Sequence, residues 1–249
     1  MSLAPFDWIR TWRSERKERR RLAKFNQAQA WARDLPLQTA FERIYAEAKW
    51  GDAPDGGTFW SGNGSREDFS ASYESYVVAL LDKHPEIKSI VDVGCGDFQV
   101  SSRILRRLGR SIDYHGLDVV RPLIALHQAT NAEPHIRFSV CNAVEDELPK
   151  GDLGLIRQIL QHLSNAQTAT ILRKAAQSFK AVIIVESLPL VMRTPNLDIG
   201  HGITTRIALG SGNYIDLPPY DLPVADHFDV EHSANEIIRT SLVWFNQPR

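Results

Sequence analysis

The stretch Val91-Asp92-Val93-Gly94-Cys95-Gly96-Asp97 follows a short apolar run and precedes a helical pattern. Glycines at such a junction let the main chain turn sharply and let a ligand approach bare backbone. Asp118 closes the next apolar run, 26 residues after Asp92. A carboxylate there can accept both hydroxyls of a ribose. The dinucleotide fingerprint G-x-G-x-x-G wants a third glycine for close packing of helix on strand. Counting from Gly94, that position is Gln99. Asp92 also stands just ahead of the turn, where a carboxylate repels a pyrophosphate and welcomes a cationic amine. The charges therefore describe a ligand with adenosine at one end and an ammonium at the other.

S-adenosylmethionine is such a ligand, and we expect it in preference to NAD or to a glycine turn that binds nothing. The elements that must hold this loop are strands and helices in alternation. Short apolar runs fall at 87–93, 112–118, 136–141, 152–158 and 181–186. Several are dominated by Val and Ile, as doubly covered parallel strands are. Helices fit between them. One starts near Phe98 and ends at Gly109, another carries Pro122 in its first turn, and a third opens at Ser164 with a capping-box Gln167. The runs 227–232 and 237–245 predict an antiparallel hairpin. The expected fold class is α/β, a Rossmann-like doubly wound sheet, mostly parallel, with an antiparallel C-terminal hairpin strand and an N-terminal helical extension.

Three parts divide the chain. Residues 1–26 form a basic segment. Residues 27–86 form a helical and Gly-rich cover, with helices expected over 27–50 and about 67–83, the latter capped by Ser65. Residues 87–249 form the ligand-binding domain, including an irregular segment over 187–225 rich in Pro and Gly that is expected to be ordered. The whole chain of 249 residues carries a net charge of −1, yet residues 7–25 hold eight Lys/Arg against three Asp/Glu. The body thus lacks a general basic field, and no nucleic-acid partner is expected. The segment 6–24, with Phe6, Trp8, Ile9 and Trp12, could touch an anionic membrane surface weakly. A solvated helix is favoured, because the apolar positions stop at the charged run. With two cysteines, Cys95 and Cys141, a disulfide scaffold is excluded. No apolar run approaches the ~20 residues that cross a bilayer, and the charged N-terminus lacks an apolar signal core. A cytoplasmic location is expected.

Asp92 to Gly96, Asp118 and the stretch Asp152 to Leu163 together resemble the class I S-adenosylmethionine-dependent methyltransferases, of bacterial small-molecule type. The likeness covers roughly residues 87–186. It implies that Gly94, Cys95 and Gly96 line the methionine part of the cofactor and that Asp92 orients its amine. It implies Asp118 on the ribose, Val119 beside the adenine, and Asn142 with Ala143 at the adenine amino group. Arg157, at the end of the fourth strand, stands where family members make a backbone contact to the cofactor, and its side chain could instead face the substrate. Gln161 departs from the acidic residues common near that position.

Methyl transfer is an in-line displacement that needs alignment and a dry site. A general base helps when the acceptor is a poorly acidic hydroxyl. His162 is the first candidate, since it follows the fourth strand at the carboxyl edge of the sheet, where ligands bind in such folds. Glu186 ends the fifth strand at the same edge. His201 and Asp198 are weaker candidates. The cover and the 187–225 segment are expected to build the acceptor pocket, with Arg66, Tyr73, Arg193 and Arg206 reading an anionic or hydroxylated acceptor. No metal is expected. The expected function is methylation of a small-molecule or glycan-type acceptor, at oxygen. The alternatives are an RNA or protein methyltransferase using the basic N-terminus, and a non-catalytic module that binds the cofactor.

Overall fold

The computed structural model describes residues 5–54 and 56–245. The side chains of residues 5–11, 13–15, 17 and 18 lie outside that description, and with them the expected anchors Phe6, Trp8 and Ile9.

Alternating apolar runs form the expected sheet. Its strands are β1 (Ser89–Val93), β2 (Asp113–Asp118), β3 (Ile136–Val140), β4 (Gly151–Arg157), β5 (Phe179–Pro189), β6 (Val224–Ser233) and β7 (Glu236–Trp244). They lie side by side in the order β3-β2-β1-β4-β5-β7-β6. The first five are parallel, and β7 runs antiparallel to both β5 and β6. The chain winds outward from β1 to β3 and then crosses back to β4. The carboxyl ends of β1 and β4 therefore part at a topological switch point, which is where such sheets bind ligands.

Both faces of the sheet are covered, and side chains alternate between two cores. Ile90, Leu153, Leu155, Ile183 and Val185 face one core, which takes Tyr73, Val77 and Leu81 from α3 (Glu67–Lys83) and Ile104 from α4 (Gln99–Arg107). Val91, Ile156, Val182 and Ile184 face the other, which takes Ile171, Leu172 and Ala175 from α6 (Asn165–Ser178). By this alternation Asp92 projects to the same side as Ile90, toward α4. The remaining crossover helix, α5 (Arg121–Thr130), begins with its proline in the first turn. Ser164 and Gln167 form the full capping box at the start of α6.

Three local expectations are corrected. The helix expected over 27–50 is two helices, α1 (Pro5–Ala30) and α2 (Leu37–Ala46), parted by a turn. Pro36 caps α2 with φ −54° and ψ 143°, and proline disfavours helical geometry in the residue before it. The charged run is thus part of one long helix. Ser65 does not cap α3. It is buried in the short 3-10 turn Asn63–Ser65, and Arg66 takes the cap position without a side-chain bond. Arg206 is 1% exposed and reads no acceptor. It donates to the carbonyls of Leu197 and Leu163 at 2.6 and 2.8 Å and to Oδ1 of Asn165 at 2.8 Å. This clasp, with Asn196 Nδ2 on the Tyr214 and Pro218 carbonyls, makes the long segment after β5 an ordered cover.

Close packing at the sheet centre depends on Gly154 of β4. A Cβ there would stand 2.3 Å from the ring of Phe179, which is 2% exposed. Gly154→Ala should cost about 1–3 kcal/mol by overpacking, read as a lower urea midpoint with an unchanged m value.

Candidate active site

The turn after β1 is built from backbone. Gly94 has φ +74° and Gly96 φ +53°, a region that L side chains enter only under strain. The N–H groups of Gly94 and Cys95 both donate to the carbonyl of Leu117, at 2.8 and 2.9 Å. The Gly96 N–H donates to Oδ2 of Asp118 at 3.0 Å. Nε2 of His127 lies 2.7 Å from the Gly96 carbonyl, so that ring nitrogen carries the proton. A Cβ on Gly94 would meet Ile159 at 2.5 Å, and one on Gly96 would meet the Ser61 hydroxyl at 2.4 Å. Both glycines are therefore required by conformation and by close approach.

Two carboxylates flank the turn. Asp92 is buried, and its Oδ2 accepts from Ser101 Oγ at 2.5 Å and from the Tyr114 hydroxyl at 2.7 Å. Burial raises its pKa against the pull of these two donors. Asp118 accepts from the Val120 N–H through Oδ1 and from Gly96 through Oδ2, each at 3.0 Å. Burial pushes Asp118 up to about 6, and its backbone donors act in the opposite direction.

The N-terminal cover closes over the turn. Ser61 donates its N–H to Oδ2 of Asp97 at 3.0 Å, and its hydroxyl accepts the Asp97 N–H at 2.8 Å. The Tyr45 hydroxyl lies 2.9 Å from the same Ser61 oxygen. Beside this clasp, Trp50 and Phe41 stand against the His162 ring, with centroids 5.7 and 6.4 Å away. Burial lowers His162 to about 4, outweighing nearby backbone carbonyls that favour its charge. The ring is therefore neutral at neutral pH, and its Nδ1 is buried without a partner.

These groups line one cleft with about 1110 Å³ of empty space, its open mouth included. Asp92, Gly94, Cys95, Gly96, Asp118, Val119, Asn142, Ala143, Arg157 and His162 all border it, as does Tyr73. Oδ1 of Asn142 accepts the Val144 N–H at 3.1 Å. One lone pair of that oxygen remains for an amino group. Cys95 and Cys141 border the cleft as free thiols.

Several expected residues lie elsewhere. Glu186 is 2% exposed and does not border the cleft; its Oε1 accepts the Leu160 N–H at 3.0 Å. It sits behind the turn that carries His162, where burial pushes it up to about 8. His201 Nε2 lies 2.9 Å from the Leu35 carbonyl, and Asp198 accepts the Asn165 N–H at 2.7 Å. Arg66 pairs with Asp68 on the surface, and Arg193 packs its stem against Gly210. No residue of 187–225 borders the cleft. That segment braces α1 and the His162 turn from behind, through the Gly202 N–H on the His162 carbonyl at 3.0 Å. The Ser61–Asp97 clasp and the support from His127 carry no local sequence signal. Both partners in each case are far apart along the chain. Among the described residues, no three His, Cys, Asp or Glu side chains gather as a metal site.

Residues 90–182 match the family model of a methyltransferase domain. No curated protein is significantly similar to the chain in sequence. Among solved structures, the N-methyltransferase NodS from Bradyrhizobium japonicum WM9, in complex with S-adenosyl-L-homocysteine, is 12% identical. The match covers 83% of this chain and 98% of that one, with a TM-score of 0.55. The [4+2]-cyclase SpnF is 14% identical over 84% of this chain and 97% of its own, with a TM-score of 0.56. The S-adenosylmethionine-dependent methyltransferase SibL is 17% identical over 70% of this chain, with a TM-score of 0.48, and the chain covers 55% of its length. At these identities the likeness is one of fold.

Ser61→Ala should free the Asp97 amide from its acceptor and loosen the cover by about 1–3 kcal/mol. Hydrogen exchange at the Asp97 N–H should accelerate, with the β4 and β5 amides unchanged.

Proposed function

We propose that the chain, whose residues 90–182 match the family model of a methyltransferase domain, is a class I S-adenosylmethionine-dependent methyltransferase that methylates a hydroxyl of a small-molecule or glycan-type acceptor. The observation that carries this reading is the sharing of one cleft by the glycine turn and the aromatic cover. A ligand with adenosine and ammonium ends suits the donors and acceptors present. Asp118 accepts the ribose hydroxyls, Val119 and Ala143 flank the base, and Asn142 accepts from its amino group. Asp92 holds the ammonium beside Gly94, Cys95 and Gly96. S-adenosylmethionine, when bound, supplies a methyl carbon already activated by its sulfonium.

The chain's own residues then align the acceptor and keep water out. Phe41 and Trp50 supply flat apolar walls, and the Ser61–Asp97 clasp holds them over the turn. The carboxylates bordering the cleft are Asp92, Asp97 and Asp118, all on the glycine-turn side. Among the described residues no further carboxylate borders the cleft to hold a cationic acceptor, and the neutral imidazole of His162 suits a hydroxyl, which supports oxygen. Neutral His162 can take up the hydroxyl proton, a modest contribution from so weak a base. Glu186 acts at a distance, by holding the Leu160 N–H and with it the turn of His162. NodS and SpnF are described by different reactions, so fold alone does not decide the chemistry. Formation of S-adenosylhomocysteine in the presence of an acceptor does.

The labelled cofactor incubated with a metabolite extract should yield a labelled small molecule; cofactor binding with no transfer to any acceptor would count against the proposal. His162→Ala should lower kcat about tenfold to a hundredfold and leave the cofactor KM unchanged. Asp118 accepts best as the carboxylate, so cofactor affinity should be full only about a pH unit above 6 and fall through pH 6. It should weaken about tenfold for each pH unit below that. Asp118→Asn should bind more weakly at neutral pH and lose this dependence. Titration calorimetry from pH 5 to 8 reads both.

A further inference from the structure

Arg157 and Asp92 are opposite charges on the wall of the same cleft. Each raises the other's preference for its charged form, yet no ion pair within 4.0 Å joins them. Asp92 spends only Oδ2 on protein donors, so Oδ1 makes no hydrogen bond among the described residues. Arg157 is equally under-used. Its Nη2 donates to the Gly64 carbonyl, its Nε is buried with no partner, and no other bond is made by its five N–H groups. The ring of Tyr73 lies against the guanidinium, 5.5 Å from centroid to Cζ. Buried charges are costly unless they are paired and hydrogen-bonded. Two that border one cleft with valences left free gain from a ligand that brings both complementary charges. Asp92 pairs with Leu155 across β1 and β4, and Arg157 stands two residues further along β4, so the two side chains leave neighbouring strands on one face. A zwitterion meets that need, since its ammonium and carboxylate sit on one carbon and satisfy both groups together.

We propose that the Arg157 guanidinium binds the carboxylate of the cofactor's amino-acid tail, while the free Asp92 oxygen takes its ammonium. The inference rests on the cofactor reading above and deepens it: the site selects a complete α-amino acid head, not merely a cation. The expected backbone contact at this position is joined by a side-chain contact, and Arg157 is directed away from the acceptor. The same guanidinium holds the Gly64 carbonyl, so the tail and the cover meet on one residue.

Calorimetric titration of the full chain with S-adenosylhomocysteine and with its decarboxylated counterpart tests this. The parent chain should bind the carboxylate-bearing ligand on the order of tenfold to a hundredfold more tightly. Arg157→Gln should lose most of that preference while keeping the parent's affinity for the decarboxylated ligand. Arg157→Lys, a cation without the fork, should keep part of it. Equal weakening of both ligands by Arg157→Gln would reduce the residue to a brace for the Asn63–Ser65 turn and overturn the assignment. A preference that survives the substitution would overturn it as well. Should the parent bind both ligands alike, only this inference fails; should it bind neither, the cofactor reading fails and takes the inference with it.

Discussion

Gly96 is pressed from every side. Its N–H is committed to Asp118, its carbonyl to His127, and the space where a side chain would start is filled by the Ser61 hydroxyl. Its φ of +53° adds a conformational demand that glycine meets without strain. One residue thereby ties the end of β2, the helix α5 and the N-terminal cover to the turn after β1. A methyl group at Gly96 would displace Ser61, and with it the Asp97 amide and the Tyr45 hydroxyl that depend on the same oxygen. The cleft is the space left around this junction.

The electrostatics follow from the same crowding. Asp92, Asp118 and Arg157 are held on cleft walls by neighbours that satisfy part of each group and leave part free. Burial disfavours the charged form in all three. A cleft so prepared gains most from a ligand that carries complementary charges and hydroxyls into it, because it relieves charge that the protein does not itself neutralise. The fully paired buried ions behave differently. Glu74, 2% exposed and joined to Arg103 at 2.8 Å with Ser70 at 2.7 Å, fastens α3 to α4 and faces no ligand.

Local patterns reached a good part of this. Strand order aside, the sheet was legible from period and composition, because its strands are short runs buried on both faces. The capping box at Ser164 and the proline opening α5 were legible because both act within one turn. The glycine turn and Asp118 were legible because a strand, a turn and an acid recur at fixed places in the unit. The roles expected of Arg206 and Glu186 were not. A charged residue in an irregular segment reads as exposed until the carbonyls that surround it are known, and besides the nearby Leu197 these come from Leu160 and Leu163, far back in the chain. Glu186 does not end its strand, since β5 runs on to Pro189; it stands beside the end of β4 and points behind the His162 turn, and sequence period alone does not distinguish the two sides of a strand. The cover's grip on Asp97 joins residues 36 apart and is visible only in the fold.

The central claim is that this junction recognises an adenosyl amino acid. A crystal structure of the chain grown with S-adenosylhomocysteine tests it most directly. The account predicts ribose hydroxyls within hydrogen-bond distance of the Asp118 carboxylate, with the amino-acid tail lying along Gly94 to Gly96. A ligand bound away from Asp118, or a cleft that stays empty at saturating concentration, would contradict it.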